Sequence, residues 1–166
     1  MNILRYFIFL LYLIMATRVN AADVEISGTQ ATREDLQDSS TLTISGTLDG
    51  DLNNIVRGYI AAGNEIDNAT VVVESGGTIQ GQSNAIMGRE TDSLTVTNSG
   101  TIEATSSKAI QLRDAQNATI TNKSGGTIFA NTNAIVQQSA GTEDAENTTI
   151  TNAGTIYSVN DRAIYF

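Results

Sequence analysis

Apolar and polar residues alternate in short runs along most of the chain, and glycine, asparagine and serine break the runs. Val96, Ile120 and Ile150 are each followed by a threonine on the other side of the alternation. A period of two places one residue inward and the next outward, as in a half-buried strand. The runs are three or four residues long, too short for helices and bounded by turn-forming residues.

The runs also recur. Thr148–Ile164 (TTITNAGTIYSVNDRAI) is the cleanest copy, and Leu94–Ile110 and Ala118–Ile135 repeat its words. Thr70–Ile86 is a weaker copy and Leu42–Ile55 a weaker one still. The glycine before each Thr-Ile or Thr-Leu falls at Gly46, Gly77, Gly100, Gly126 and Gly154, at spacings of 31, 23, 26 and 28. The step from that Ile or Leu to the next marked Ile is held at seven or eight residues, whereas Ile135 to Ile150 stretches to fifteen. Each unit therefore has three short segments and one loop of variable length. Such a unit cannot cover its own apolar face and must stack on its neighbours. The pattern predicts an all-β, single-stranded, right-handed parallel β-helix of about five coils over 42–166, the last of them cut off in mid-repeat.

Four columns are predicted. Ile79, Ile102, Ile128 and Ile156 form one inward column, and Ile86, Ile110, Ile135 and Ile164 form another, with Gln111 facing water one step along. The small residues Gly81, Ala104, Ala130 and Ser158 fit an inward position near a corner. Asn98, Asn122 and Asn152 form a ladder, because a side-chain amide donates and accepts at once. In the copy at Thr70–Ile86 that column is expected to hold Glu74 and the ladder to stop.

The front of the chain departs from the repeat. Met1–Ala21 carries Arg5, an apolar run of eleven residues from Tyr6 to Ala16, and a small-x-small ending at Val19-Asn20-Ala21. This is the pattern of a secretory signal peptide cut after Ala21, since a membrane span needs about 20 apolar residues. Residues 22–41 are expected to cap the first coil, with a short helical turn over Ala31–Ser40 starting at Thr32.

Composition narrows the function. Without the signal, seven Lys and Arg face eighteen Asp and Glu, a net charge of −11 with no basic patch. Nucleic acid and membrane insertion of the mature chain are therefore not expected. The chain has no Cys and no His, so it lacks disulfides, the commonest metal ligand and the commonest general base. Ser83, Ser99 and Ser124 cannot join a Ser-His-Asp arrangement. Asp49-Gly50-Asp51-Leu52-Asn53 opens like a calcium loop, but Asn54 and Ile60 break the pattern and leave a turn. The repeat itself generates Asn-x-Ser/Thr at Asn68, Asn117, Asn122 and Asn147. No catalytic, cofactor-binding or metal-binding residue is assigned. Asp92, Asp114, Asp144 and Asp161 on turns could meet Arg57, Arg89, Lys108, Arg113, Lys123 or Arg162 on one face. Such a grouping would suit an enzyme acting on polysaccharide.

The repeated T-I-T-N-x-G-T-I…A-I word, behind a signal peptide and without cysteine, resembles the passenger region of bacterial autotransporters. The resemblance covers the signal and about residues 42–166. It implies a long right-handed β-helix, exported and displayed at the bacterial surface, with roles such as adhesion and autoaggregation. The translocator barrel that such proteins carry at their C-terminus is not among these residues, and without it the chain is expected in the periplasm. The expected function is a non-enzymatic stalk or adhesin-like fragment, meeting a host surface, a polysaccharide or a second copy of itself. The alternative is a polysaccharide lyase or glycosidase. An uncovered final coil is expected to make the chain self-associate.

Overall fold

The computed structural model describes residues 23–50, 55–58, 66–139 and 147–166. Signal segment 1–21, Asp51–Asn54 of the calcium-like turn, and Asp144 lie outside the described residues. All regular structure described is β, and every strand pair is parallel.

Three six-stranded sheets wrap around one core. The first contains β1 (Val24–Ile26), β4 (Thr41–Ile44), β8 (Thr70–Val73), β12 (Thr95–Asn98), β15 (Thr119–Asn122) and β18 (Thr149–Asn152). The second contains β2 (Thr29–Gln30), β5 (Thr47–Gly50), β9 (Thr78–Gly81), β13 (Thr101–Ala104), β16 (Thr127–Ala130) and β19 (Thr155–Ser158). The third contains β3 (Glu34–Asp35), β6 (Val56–Gly58), β10 (Ile86–Arg89), β14 (Ile110–Arg113), β17 (Ile135–Gln138) and β20 (Ile164–Tyr165). A short pair, β7 (Ile66–Asp67) and β11 (Thr91–Asp92), fills one corner. Each turn of chain supplies one strand to each sheet, which is a β-solenoid of about five turns.

The inward columns are in register. Leu48, Ile79, Ile102, Ile128 and Ile156 align in the second sheet. Val56, Ile86, Ile110, Ile135 and Ile164 align in the third. Ile79, Ile102, Ile128, Ile86, Ile110 and Ile135 are fully buried. Burying one such side chain contributes about 1.5–3 kcal/mol, so stacking alone accounts for a stable core without disulfides. Gly81, Ala104, Ala130 and Ser158 share a column, as their small size suggests. The glycines before each Thr-Ile word are needed for a different reason. A Cβ on Gly100 or Gly154 would collide with the carbonyl oxygen of Gly77 or Gly126 in the turn before. Backbone passes over backbone there, and only hydrogen fits between.

Two expectations change. Val73, not Glu74, occupies the asparagine column, because Val71 and Val73 point inward and Val72 outward. Glu74 sits on the following turn, its N–H donating to the carbonyl of Ile44 (2.9 Å). The ladder still ends there, since valine offers no amide. The second change concerns Ala31–Ser40, which forms no helix. Glu34 and Asp35 pair with Val56 and Arg57, and Leu36 is buried. One helical turn gains a single hydrogen bond for several fixed residues, whereas the waiting sheet edge supplies bonds at once. Glu34 N–H and Leu36 N–H donate to the carbonyls of Ile55 and Arg57, each at 2.8 Å. The segment thus covers the stack as a shortened rung of strands.

Candidate functional site

Two surfaces stand out on the rod. The first is the outer face of the first sheet. Thr41, Thr70, Thr95, Thr119 and Thr149 align in one column, and Thr43, Val72, Thr97, Thr121 and Thr151 in the next. Strands lie about 4.8 Å apart and alternate residues about 6.7 Å apart, so from β4 to β18 the columns make a regular, uncharged array, with Glu25 of β1 next to Thr43 at its first end. The threonine hydroxyls in it have no hydrogen-bond partner in the protein and face water.

The second surface lies on the third sheet, where some of the predicted charges converge. Arg89 and Arg113 stand side by side on neighbouring strands, followed by Gln138. Each arginine precedes an acid, and both acids adopt left-handed backbone, Glu90 at φ 51° and Asp114 at φ 51°. Arg89 pairs with Glu90 (3.1 Å). Arg113 approaches Asp114 only to 4.0 Å, and the Asp114 side chain is almost fully covered.

The remaining predicted charges go elsewhere. Arg57 makes a two-pronged pair with Asp35 (2.9 Å on both prongs), which ties the first rung to the second. Lys108 lies on the turn before β14, at the far end of that strand from Arg113, and Lys123 on the turn between β15 and β16. Asp92 accepts from Ser93 Oγ (3.1 Å) and Asn117 Nδ2 (2.9 Å). Asp161 caps its own turn, accepting from the Arg162 N–H (2.9 Å), and the Arg162 guanidinium lies over the Tyr165 ring at 4.7 Å. Among the described residues, no group of three or more acids could hold a metal ion.

Below Arg113 the surface opens into a cleft of about 510 Å³, lined by Arg113, Gln137, Gln138, Tyr165 and Phe166 among others. A second hollow of about 450 Å³ shares Gln137 and Phe166 with it and reaches Thr148. Gln137 occupies an inward position that is apolar or glycine in the turns before, and Thr148 one that is alanine or leucine in three turns and the buried Ser40 in the first. Gln137 aligns with Leu112, which aligns with Gly88 and Gly58. Thr148 precedes β18 just as Ala69, Leu94 and Ala118 precede β8, β12 and β15, and those three are buried. Gln137 is 8% exposed, and its amide is not among the buried side-chain atoms that lack a partner. Thr148 Oγ1 is buried and unpartnered. A buried polar group left without a hydrogen bond costs about 1–3 kcal/mol, and of the two only the Thr148 hydroxyl is such a group.

Neither residue stands out within its own copy of the repeat, although the comparison of copies carries a signal. Ile86-x-Gly88, Ile110-x-Leu112 and Ile135-x-Gln137 are the same three positions of successive units, and only the last carries an amide. The charged candidates stood out instead because they are ionisable.

No protein-family model, no curated protein and no solved structure matches the chain.

Proposed function

We propose that the chain is an exported, non-enzymatic β-solenoid of the autotransporter-passenger type, acting as a rigid stalk that meets its partner through its faces. The carrying observation is the unbroken register of the first sheet, which lays nine threonines and one valine in two outward columns. A surface with many free hydroxyls and no charge from β4 to β18 suits broad, weak contact with a host surface or a polysaccharide, summed along the rod. The signal-peptide pattern of residues 1–21 supports export, and the site of action proposed is the cell surface or the medium. Full-length chain expressed in a Gram-negative host should be cut after Ala21 and recovered outside the cytoplasm. Beads coated with the purified mature chain should adhere to cells or polysaccharide films. Thr97→Glu/Thr121→Glu should reduce that adhesion while the chain stays folded. Retention of the uncut chain in the cytoplasm would sink the export reading, and unchanged adhesion in the double variant would sink the threonine face.

A second reading, an enzyme acting on polysaccharide, draws support from Arg113 and Asp114 beside the cleft. It predicts release of reducing ends or unsaturated sugars from acidic polysaccharides. Loss of that release in Asp114→Asn, with an unchanged melting temperature, would favour it.

A further inference from the structure

We propose that the outer face of the first sheet binds ice. The proposal goes beyond the adhesive function above, because it gives the threonine columns a partner that has a lattice of its own. From β4 to β18 the face carries nine threonines and one valine in two columns. Rung follows rung at about 4.8 Å, and the two columns stand about 6.7 Å apart. Oxygen atoms on a prism face of ice repeat on a rectangular net of similar dimensions. The five strands pair residue for residue without a slip. A lattice that meets one pair of hydroxyls therefore meets the following pairs in step.

The three outer faces of the rod show that this regularity belongs to one face and not to the solenoid as such. All three sheets stack in register. Yet one outer column of the second sheet holds Asp49, Gln80, Glu103, Phe129 and Tyr157. One outer column of the third holds Arg57, Met87, Gln111 and Val136. A side that need only be wet accepts charge, amide and ring in turn. The first sheet accepts none of them from β4 to β18, although the chain holds 18 Asp and Glu and 9 Lys and Arg. An uncharged array is the complement of an uncharged lattice, whereas ionised side chains would impose hydration shells of their own.

The side chain suits the partner. A threonine hydroxyl donates one hydrogen bond and accepts others, as each water molecule in ice does. Its branched Cβ restricts χ1, so the hydroxyl is held in place before contact. Leu42, Val71, Val96 and Ile120 are buried beneath the same strands and keep the face rigid. Little freedom is then lost on binding. One neutral hydrogen bond nets only about 1 kcal/mol against water, but a row of them acts together along the rod.

The mature chain would be tested on single ice crystals in a nanolitre osmometer. It should hold the freezing point below the melting point and turn round crystals into faceted ones. Thr97→Lys/Thr121→Lys sets two long charged side chains in the middle of the face and should abolish both effects. Gln80→Lys/Glu103→Lys, on the second sheet, should leave them unchanged. Val72→Thr completes the array and should widen the gap between the two temperatures. Circular dichroism would establish that each variant is folded. Round crystals and coincident freezing and melting points for the natural chain would overturn the proposal. Natural activity in a folded Thr97→Lys/Thr121→Lys would also overturn it, and so would a gap that Val72→Thr leaves unchanged. The Val72 variant carries the test even if the lysine pair fails to fold. Adhesion of coated beads without any effect on ice would remove this proposal and keep the adhesin-like function. Shaped ice without adhesion would do the reverse.

Discussion

The tetrapeptide Thr-Ile-Thr-Asn occurs twice, as β15 and as β18, and the two copies live in different surroundings. In β15, Ile120 and Asn122 are fully buried and the threonines partly so. In β18, Ile150 is only partly buried, and the two threonines and Asn152 are exposed. The strands have the same sequence and pair with each other residue for residue. What differs is the number of neighbours: β15 lies between β12 and β18, and β18 has β15 alone. In a solenoid each unit is stabilised by the units beside it, so one word is worth more in the middle of the stack than in the outer turn.

The contrast should be largest for a charge in an inward column. Ile110→Asp places an unpaired carboxylate between Ile86 and Ile135, and should cost about 4 kcal/mol or more, enough to open the coil. Ile164→Asp, in the same column but 38% exposed, should cost about 1 kcal/mol or less. Urea melts of the two variants would measure the difference, and equal losses would mean that position in the stack does not set the cost.

The glycine column should narrow the gap. Gly126→Ala meets Asn122 Oδ1 at 2.5 Å, and Gly154→Ala meets the Gly126 carbonyl. Each meets a carbonyl of the preceding turn, that of Asn98 (2.7 Å) for Gly126 and that of Gly126 for Gly154, so each variant should lose about 1–3 kcal/mol. Gly76, at φ 88° with open space around it, should lose about 1 kcal/mol on Gly76→Ala through backbone strain alone. A thermal shift for Gly154→Ala far below that of Gly126→Ala would show that the outer turn relaxes.

The asparagine ladder repeats the contrast on a smaller scale. Asn122 accepts from Asn98 Nδ2 (2.8 Å), and its own Nδ2 reaches Asn152 Oδ1 (2.8 Å) and the carbonyls of Gly126 (3.2 Å) and Thr155 (3.1 Å). Asn122→Ala removes one acceptor from the buried Asn98 amide, which keeps the Thr127 carbonyl (3.1 Å), together with the bonds Asn122 itself donates, and should cost about 2 kcal/mol, whereas Asn152→Ala should cost about 1 kcal/mol or less. Native-state hydrogen exchange at the Gly100 and Gly154 amides, which donate to Asn98 and Asn152, would report each corner separately.

The smallest effect is expected on the wet side of the third sheet. Gln111, one step from Ile110, is not idle there. Its Oε1 accepts from Asn84 Nδ2 (3.0 Å), and its Nε2 donates to Gln138 (3.1 Å). Gln111→Asp should therefore cost about 0.5–1 kcal/mol, where the alternation by itself suggests almost nothing. A melting temperature within error of the natural chain would show that this outer amide chain contributes no stability.

The inward columns were legible in the sequence because an apolar residue every second position, repeated at nearly constant spacing, has one low-energy solution. The ladder of Asn98, Asn122 and Asn152 was legible for the same reason. The column position of Glu74 was not. Thr70–Val73 is apolar at three successive positions, so the alternation has two possible phases there, and pairing with β4 and β12 selects one. The role of Ala31–Ser40 was hidden because its polar residues carry no period. Its strands exist because an edge was waiting for them. The cleft was least legible, since it needs Arg113, Gln137 and Phe166, which are far apart in sequence, to meet at one corner.

The sequence by itself determined the repeating unit, which residues face inward, and the need for stacking, because these follow from local alternation and from apolar area that a single unit cannot hide. Tertiary structure decided how deeply each copy is buried, which phase an ambiguous strand takes, and which polar side chains remain without partners. Those outcomes depend on the neighbouring turn, and identical words such as β15 and β18 cannot carry that information.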